Sequence, residues 1–572
     1  MQEIHLSRTI QVRKSIMISK KLNYLLDNVY ENSEGQLFGD YSSSNGKTIK
    51  LKIVFPTHFP NELPKVYIQN LDEIDLFIPH LDSNGLICYV TSNNVIYDSR
   101  NEDNVLFSSV QMAIKTIETG IKKLNYDDFR NEFIAFWDQQ KDLIPVDFFA
   151  EPNDEVKRLE VFLYKEENLI LTDIDNQDIP SKFYTGKIDK ANSADALYIP
   201  LRLNNKILPP NPRKGWGKKE LLKLIRNNTT QSKKNFFDRW IKAKSTSIKI
   251  LILKIPIDKK NEVIIGYWFD KNKQSIKKQL KRPTPLLVTR SDLKYLLERT
   301  SGEHYFTNLN VCIVGLGSVG GKLSSELSDL GITKMTLIDY EAFEKDNLFR
   351  HELGANSLKV DKFNYKVDNL QNELEKKNPY LEVDVESMNV LGVIKSDPTF
   401  FDKFDYTFIC VGDTMTSLAL NSFFKKGMYK VFYSWVEPLG IGGHILYTDY
   451  SQKGCFQCLN TSVDEGIITS NRSSLAAPNQ HIEKNLASCR SSFVPYGSLT
   501  SSEAAIRTTE IFYKVITEQI KENTLYSWLG DTYHFKSLGY LFSNRYRKFE
   551  HSFPIYEKNF KNEKCKICGD HS

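Results

Sequence analysis

Residues 310–321 read Asn-Val-Cys-Ile-Val-Gly-Leu-Gly-Ser-Val-Gly-Gly, and residues 336–339 read Thr-Leu-Ile-Asp. Val311–Val314 is a short apolar run of buried-strand type. Gly315, Gly317 and Gly320 follow in G-x-G-x-x-G spacing. Val319–Leu330 carries an amphipathic helix pattern, and Met335–Ile338 is a second apolar strand ending in Asp339. Strand, glycine turn, helix and a carboxylate about 20 residues on have the physics of a nucleotide site. Glycines let the backbone approach phosphate, the helix start offers unpaired N–H groups, and the acid can hold a ribose.

The residues that follow choose the nucleotide. A dehydrogenase would continue with another strand–helix unit. Here the chain reads Glu344-Lys-Asp-Asn-Leu-Phe-Arg-His-Glu-Leu-Gly354 and then Ser357-Leu-Lys-Val-Asp-Lys362. This order resembles the ThiF/MoeB and ubiquitin-activating enzyme superfamily, in which the ribose acid is followed by an Asn-Leu-x-Arg run and then a Lys. Onto that pattern fall Asn347, Arg350 and Lys362. The resemblance implies ATP, and fixed cations suit the charge that builds when a carboxylate attacks the α-phosphate. It also implies a Mg2+-binding Asp after the next buried strand, Phe404–Val411. Aligned without a gap, that Asp falls on Gly412, so Asp413 stands one place off. Superfamily members often borrow an Arg from a dimer partner, for which Arg290 and Arg299 are the upstream candidates.

Eight cysteines are present, without dense spacing or a secretion signal, so metal binding or catalysis is expected before disulfides. Cys455-Phe-Gln-Cys458 and Cys565-Lys-Ile-Cys568 are two C-x-x-C pairs that together suit a tetrahedral four-thiolate Zn2+ site. Cys312 and Cys410 lie in apolar runs and read as buried small hydrophobes. Cys489 follows a polar loop (Thr469–Asn485), sits beside Arg490 and precedes a helix pattern from about Leu499. A cysteine at a helix mouth beside a cation favours thiolate. In activating enzymes such a crossover cysteine takes the acyl group from the adenylate, and that role is expected of Cys489. A plain loop thiol would carry the same local signature.

The amino-terminal region explains the last thiol. Ile49–Phe55 alternates like a half-buried strand, prolines 56, 60 and 64 pin the turns that follow, and Pro79-His-Leu-Asp-Ser-Asn-Gly-Leu-Ile-Cys-Tyr89 comes next. This resembles the core of a ubiquitin-conjugating domain with Cys88 at the acceptor position, closed by an aromatic helix over Phe129–Trp137. The match departs at His-Pro-Asn: His80 is followed by Leu81 and Asp82, leaving His80 as a turn organiser and Asn84 or backbone N–H groups to face the oxyanion. Taken alone, Cys88 reads first as a buried strand cysteine; the proline pattern and the activating domain turn the reading to the acceptor role.

The whole chain has 572 residues, 41% hydrophobic and 26% charged, with net charge +5. Three domains are expected, each large enough for its own core: 1–143, 144–285 and 286–572. No run approaches a membrane span, and Met1–Ser15 lacks a signal-peptide core, so the expectation is cytoplasmic. From Arg202 to Lys249 fourteen Lys/Arg face two acids, Glu220 and Asp238. A solvated basic surface is the first reading of that block, a protein partner the second and nucleic acid the last. Residues 145–285 read as a mixed α/β connector, with strand patterns at Leu159–Tyr164, Ala196–Leu203, Ser247–Ile255 and Val263–Phe269 and a helix pattern at Lys219–Arg226.

The fold expected is α/β: an α+β conjugating-type domain, the connector, and a Rossmann-like adenylation domain. That order resembles the fusion enzymes of bacterial CBASS antiphage operons. The resemblance implies a homodimer that adenylates the C-terminus of a cGAS/DncV-like nucleotidyltransferase, passes it to Cys489 and then Cys88, and joins it to a target amine. A sulfur-carrier adenylyltransferase of ThiF/MoeB type and a non-catalytic ATP-binding scaffold are the alternatives.

Overall fold

The computed structural model describes residues 21–90, 96–165, 168–191, 194–243, 248–269, 283–300, 306–359, 364–482, 484–485 and 492–569. Two compact units divide the chain, Met1–Asp292 and Leu293–Ser572.

The first unit holds two sheets. β1 (Asp27–Glu31), β2 (Leu37–Ser42), β3 (Thr48–Val54) and β4 (Lys65–Ile68) form an antiparallel meander in that order. Period-two patterning decides its buried face: Ile49, Leu51 and Ile53 of β3 point inward, with Lys50 and Lys52 opposite. Helix Glu102–Ile121 lays Leu106, Val110, Ala113 and Ile117 on that face, and Asn101 caps its start by accepting from the Asn104 N–H. The aromatic stretch expected as one helix is two, Asp128–Asn131 and Phe133–Trp137, because Glu132 between them is turned onto His80.

The second sheet is built from β5 (Ile144–Phe148), β6 (Lys157–Tyr164), β7 (Asn168–Thr172), β8 (Ile188–Lys190), β9 (Ala194–Pro200), β10 (Ile248–Pro256), β11 (Glu262–Phe269) and β12 (Thr284–Arg290). Their spatial order is β7-β5-β12-β11-β10-β9-β6-β8. β10 is a continuous buried run, as a central strand covered on both faces must be. Helices Lys218–Asn227 and Gln231–Lys242 cover one face through Leu221, Ile225, Phe237 and Trp240. The 285/286 boundary expected from sequence falls inside β12. That strand pairs with β11 and β5, so the connector runs on to Asp292.

The basic block is partly spent inside this unit. Arg213 donates to Asp72 (3.0 Å) and to the Leu76 carbonyl (2.9 Å), Lys214 pairs with Asp75 (2.9 Å), and Lys249 is buried. Its charges therefore clasp the short helix Leu71–Ile74 of the conjugating-type region to the connector.

The second unit contains β13 (Asn310–Val314), β14 (Lys334–Ile338), β15 (Glu382–Glu386), β16 (Tyr406–Ile409) and β17 (Lys430–Val436). After them come β18 (Gly442–Asp449), β19 (Lys484–Asn485), β20 (Ser492–Phe493), β21 (Thr524–Leu529) and β22 (Ile555–Glu557). Eight form one sheet, β15-β14-β13-β16-β17-β18-β21-β22, and β19 pairs with β20 as a separate ribbon. From β15 to β17 the neighbours are parallel, and beyond β17 they are antiparallel. The chain order reverses at β13, which has β14 on one side and β16 on the other. In open α/β sheets a ligand crevice opens outside the carboxyl ends of the strands at such a switch point.

Candidate functional site

A cavity of about 810 Å³ lies at that switch point. It is walled by the segments leaving each parallel strand: 314–319 after β13, 338–341 after β14, 388–390 after β15, 409–417 after β16 and 433–438 at the end of β17. The size suits a nucleotide-class ligand.

The glycines fill their expected places. Gly315 takes φ +85, which only glycine adopts without strain. Gly317 precedes helix Ser318–Asp329 as its N-cap. A Cβ on Gly320 would lie 1.9 Å from the Gly315 carbonyl oxygen, so the third glycine is dictated by the closeness of helix and turn. Asp339 lines the cavity, with Oδ2 accepting from the Leu316 N–H (2.6 Å) and Oδ1 from the Glu341 N–H (2.8 Å). Burial pushes its carboxyl up, while those N–H groups and the Lys366 ammonium favour the ionised form.

Asn347 and Arg350 lie in the 3-10 helix Lys345–Arg350. The Asn347 side chain accepts from the Glu344 N–H (3.0 Å) and so shapes that turn. The Arg350 guanidinium stands 5.7 Å from the centroid of the Tyr496 ring. Asp413 lines the cavity as N-cap of helix Thr414–Gly427, accepting from the Met415 N–H (3.2 Å), the Thr416 N–H (2.8 Å) and the Thr416 hydroxyl. Those bonds hold its carboxyl below the usual range, so it is an anion at neutral pH. Arg290 is committed elsewhere, to Asp292 (2.8 Å) and Glu262 (3.7 Å) within the first unit. Arg299 donates to the Tyr295 hydroxyl (3.2 Å).

Lys362 and Cys489 lie outside the described residues. On either side of Cys489 the ribbon of β19 and β20 pairs Lys484 with Phe493 and Asn485 with Ser492. The following helix runs Ser498–Ile516, which agrees with the start near Leu499 expected from sequence. Flanking residues Asn471, Ser474, Val494 and Tyr496 all line the cavity.

Four groups escaped the sequence reading. His351 accepts at Nδ1 from the Leu353 N–H (3.0 Å), which leaves Nε2–H to donate to the Leu316 carbonyl (2.7 Å) in the glycine turn. Lys366, buried at the start of helix Lys366–Lys377, pairs with Glu341 on the cavity wall. Tyr496 places its hydroxyl 3.0 Å from Ser318 Oγ. Glu437, also on the wall, accepts from His444 (2.9 Å) and from the Ser474 hydroxyl (3.1 Å), while Ser527 and then Arg545 continue the chain behind His444. The Glu437 carboxylate accepts, so His444, kept neutral by burial, gives it Nε2–H and takes the Ser527 proton at Nδ1. None of these carries a local sequence signal, because each is defined by partners distant in the chain.

The four paired cysteines come together. Sγ separations are 4.0 Å (Cys455–Cys458), 3.7 Å (Cys455–Cys565) and 3.2 Å (Cys458–Cys568), and all four sulfurs lie within 4.8 Å of one another. A zinc tetrathiolate with about 2.3 Å bonds sets its sulfurs about 3.8 Å apart, so the donor set fits that ion. Cys312 is buried and Cys410 half-buried against the cores.

In the first unit Cys88 is exposed at the end of a tight reversal. Asp82 Oδ1 accepts from the Asn84 N–H (2.8 Å) and the Leu86 N–H (2.7 Å), which closes the turn. Gly85 sits at φ +90, where a Cβ would meet the Ile68 carbonyl oxygen at 2.3 Å, and the Cys88 N–H donates to the His80 carbonyl (2.8 Å). His80 itself takes φ +62 and is gripped by Glu132 (2.5 Å) and Asp128 (3.0 Å), which raise its pKa. Partial burial of the thiol group, then Glu132 and Asp82, push the Cys88 pKa up.

Residues 296–538 match the ThiF family, and residues 27–146 match Prokaryotic E2 family B. Ubiquitin-like modifier-activating enzyme 5 of Caenorhabditis briggsae is 26% identical over 158 residues, 26% of this chain and 36% of that protein. ATP-dependent ubiquitin transferase-like protein Cap2 of Pseudomonas aeruginosa (strain BWHPSA011 / Pa011) is 21% identical over 353 residues, 57% of this chain and 61% of that protein. In both cases this chain spans less than two thirds of the relative's length. Among solved structures, E. coli MccB with MccA-N7isoASN aligns at TM-score 0.34 and 15% identity over 48% of this chain and 70% of that one. No helix of the described residues is long and apolar enough to cross a membrane.

Proposed function

We propose that this chain, a bacterial fusion in which an E2-type domain precedes a ThiF-type domain, activates the C-terminus of a partner protein with ATP and relays it between two thiols. The observation that carries the proposal is the single cavity that gathers the glycine turn, Asp339, Asp413 and both flanks of the Cys489 segment.

The chemistry has four steps. The partner's terminal carboxylate, borne on a Gly, attacks the ATP α-phosphorus, and pyrophosphate leaves. The Gly315–Gly320 turn takes the phosphates on backbone N–H groups, and Asp339 takes the ribose. Arg350, Asn347 and Lys362 stabilise the charge on the α-phosphate, with Lys366 the further cation standing beside Asp339. Mg2+ belongs on Asp413, and when bound it neutralises phosphate charge. Cys489 thiolate then attacks the acyl carbon and AMP leaves. The Cys88 sulfur takes the acyl group from Cys489, and a target amine takes it from Cys88 as an amide. Each thioester step divides one hard condensation into easier transfers. The raised Cys88 pKa suits this place in the sequence, because a free thiol there is a weak stray nucleophile at neutral pH.

The similarity to Cap2 and the domain order support a place in CBASS antiphage defence, with a cGAS/DncV-like nucleotidyltransferase as the conjugated partner. The enzyme works in the cytoplasm as a homodimer, with Zn2+ on Cys455, Cys458, Cys565 and Cys568 as a structural ion.

The test supplies ATP, Mg2+ and the partner. Reductant-sensitive adducts are expected on both Cys489 and Cys88, and Cys88→Ser should stop the relay at Cys489 with no amide product. Amide products at the normal rate in Cys88→Ser would refute the relay. Pyrophosphate exchange without either adduct would instead favour a sulfur-carrier adenylyltransferase.

A further inference from the structure

Arg350 has no ion pair among the described residues; its neighbour is the face of Tyr496. Tyr496 is half-buried on the cavity wall, belongs to none of the apolar cores, and places its hydroxyl on Ser318, the first residue of the helix whose start faces the cavity. One ring therefore connects the cation to the phosphate-binding turn. Guanidinium donors point outward in the plane of the group, so an aromatic face can hold the cation without consuming any of its five N–H groups.

We propose that Tyr496 is a positioning residue for Arg350 in the adenylation step. The ring face fixes the guanidinium plane, and the hydroxyl fixes the ring to Ser318, so the donors stay aimed at the α-phosphate before charge develops there. An arginine on a flexible stem would otherwise have to be ordered in the transition state itself. This rests on the adenylation reading above.

The experiment is a double-mutant cycle read by ATP–pyrophosphate exchange in the full chain with its partner. Tyr496→Leu should lower kcat about tenfold or more with KM for ATP changed much less. Tyr496→Phe keeps the face and loses only the Ser318 bond, and should fall between Leu and wild type. Combined with Arg350→Ala, Tyr496→Leu should add nothing further. Losses that multiply in the double variant, or a Tyr496→Leu enzyme at wild-type rate, overturn the assignment. If the wild-type chain shows no exchange, the adenylation reading fails instead. The assignment of Tyr496 to that step then falls with it.

Discussion

His351 shows how one side chain can carry part of a domain's stability. Burial pushes its pKa down to about 4, while its two ring nitrogens bind backbone on either side. Above pH ~6.5 the ring is neutral folded or unfolded and contributes no pH dependence. As pH falls from ~6.5 towards 4 the unfolded chain takes up a proton that the folded chain refuses, so stability falls. The shift corresponds to about 3 kcal/mol once pH passes below the folded value. His444, also pushed down by burial, acts in the same direction. Denaturant midpoints of the nucleotide unit measured from pH 7.5 to 4 should therefore fall, and His351→Asn should flatten that slope while lowering stability at pH 7.5. Equal slopes in the two proteins would show that the ring is not held neutral. The sequence could not reveal this role. Gly315, Gly317, Gly320 and Asp339 were legible because their spacing is local, whereas His351 is defined by its bond to the Leu316 carbonyl, 35 positions away.

Elements were legible where one periodicity ruled. Asn310–Val314, Lys334–Ile338 and helix Ser318–Asp329 match the pattern of apolar residues within a residue or so, because a parallel strand buried on both faces leaves no polar ambiguity. The aromatic stretch 129–137 was misread as one helix, since Glu132 is drawn to His80 by a tertiary contact no window contains. The glycine turn permits a sharp element-level contrast. At Gly320 an added methyl meets backbone at 1.9 Å, whereas at Gly317 a Cβ has nothing within 4 Å and φ is an ordinary −72. Gly320→Ala is thus expected to cost about 1–3 kcal/mol by overpacking and to abolish ATP binding, because helix and turn must separate. Gly317→Ala should keep the fold and impair only the approach of phosphate. Thermal melts paired with ATP calorimetry measure both, and equal melting losses at the two positions would contradict the packing argument.

At the scale of the molecule, domain order was readable from three motif islands, while the connector between them was not. Its sheet draws strands from residues 144 to 290 in an order far from the chain's own, so its limit at Asp292 appears only from the pairing of β12 with β5. The four-cysteine cluster spans a comparable separation and was nevertheless legible, because each C-x-x-C sets two thiols side by side locally and only the meeting of the two pairs is left to the fold. That meeting joins residues 455–458, next to the cavity wall at Phe456, to residues 565–568. Asn562 strengthens it by donating to the Thr461 carbonyl (2.9 Å), and Arg472 by donating to the carbonyls of Cys458 (2.7 Å) and Phe560 (3.2 Å). A metal bound here would close a loop of more than a hundred residues, and its removal would leave three buried thiols and a half-buried one without the bonds that join them. The purified chain should carry one zinc, and Cys565→Ser should release it. Loss of the ion should lower Tm by on the order of 10 °C and expose residues 560–569 to protease, while Cys88 stays as reactive as before. The order of events discriminates further: a chelator should lower Tm in the wild-type chain and leave Cys565→Ser unmoved. A metal-free preparation with the wild-type Tm would mean that the four sulfurs meet as thiols and that the surrounding hydrogen bonds alone hold the segment in place.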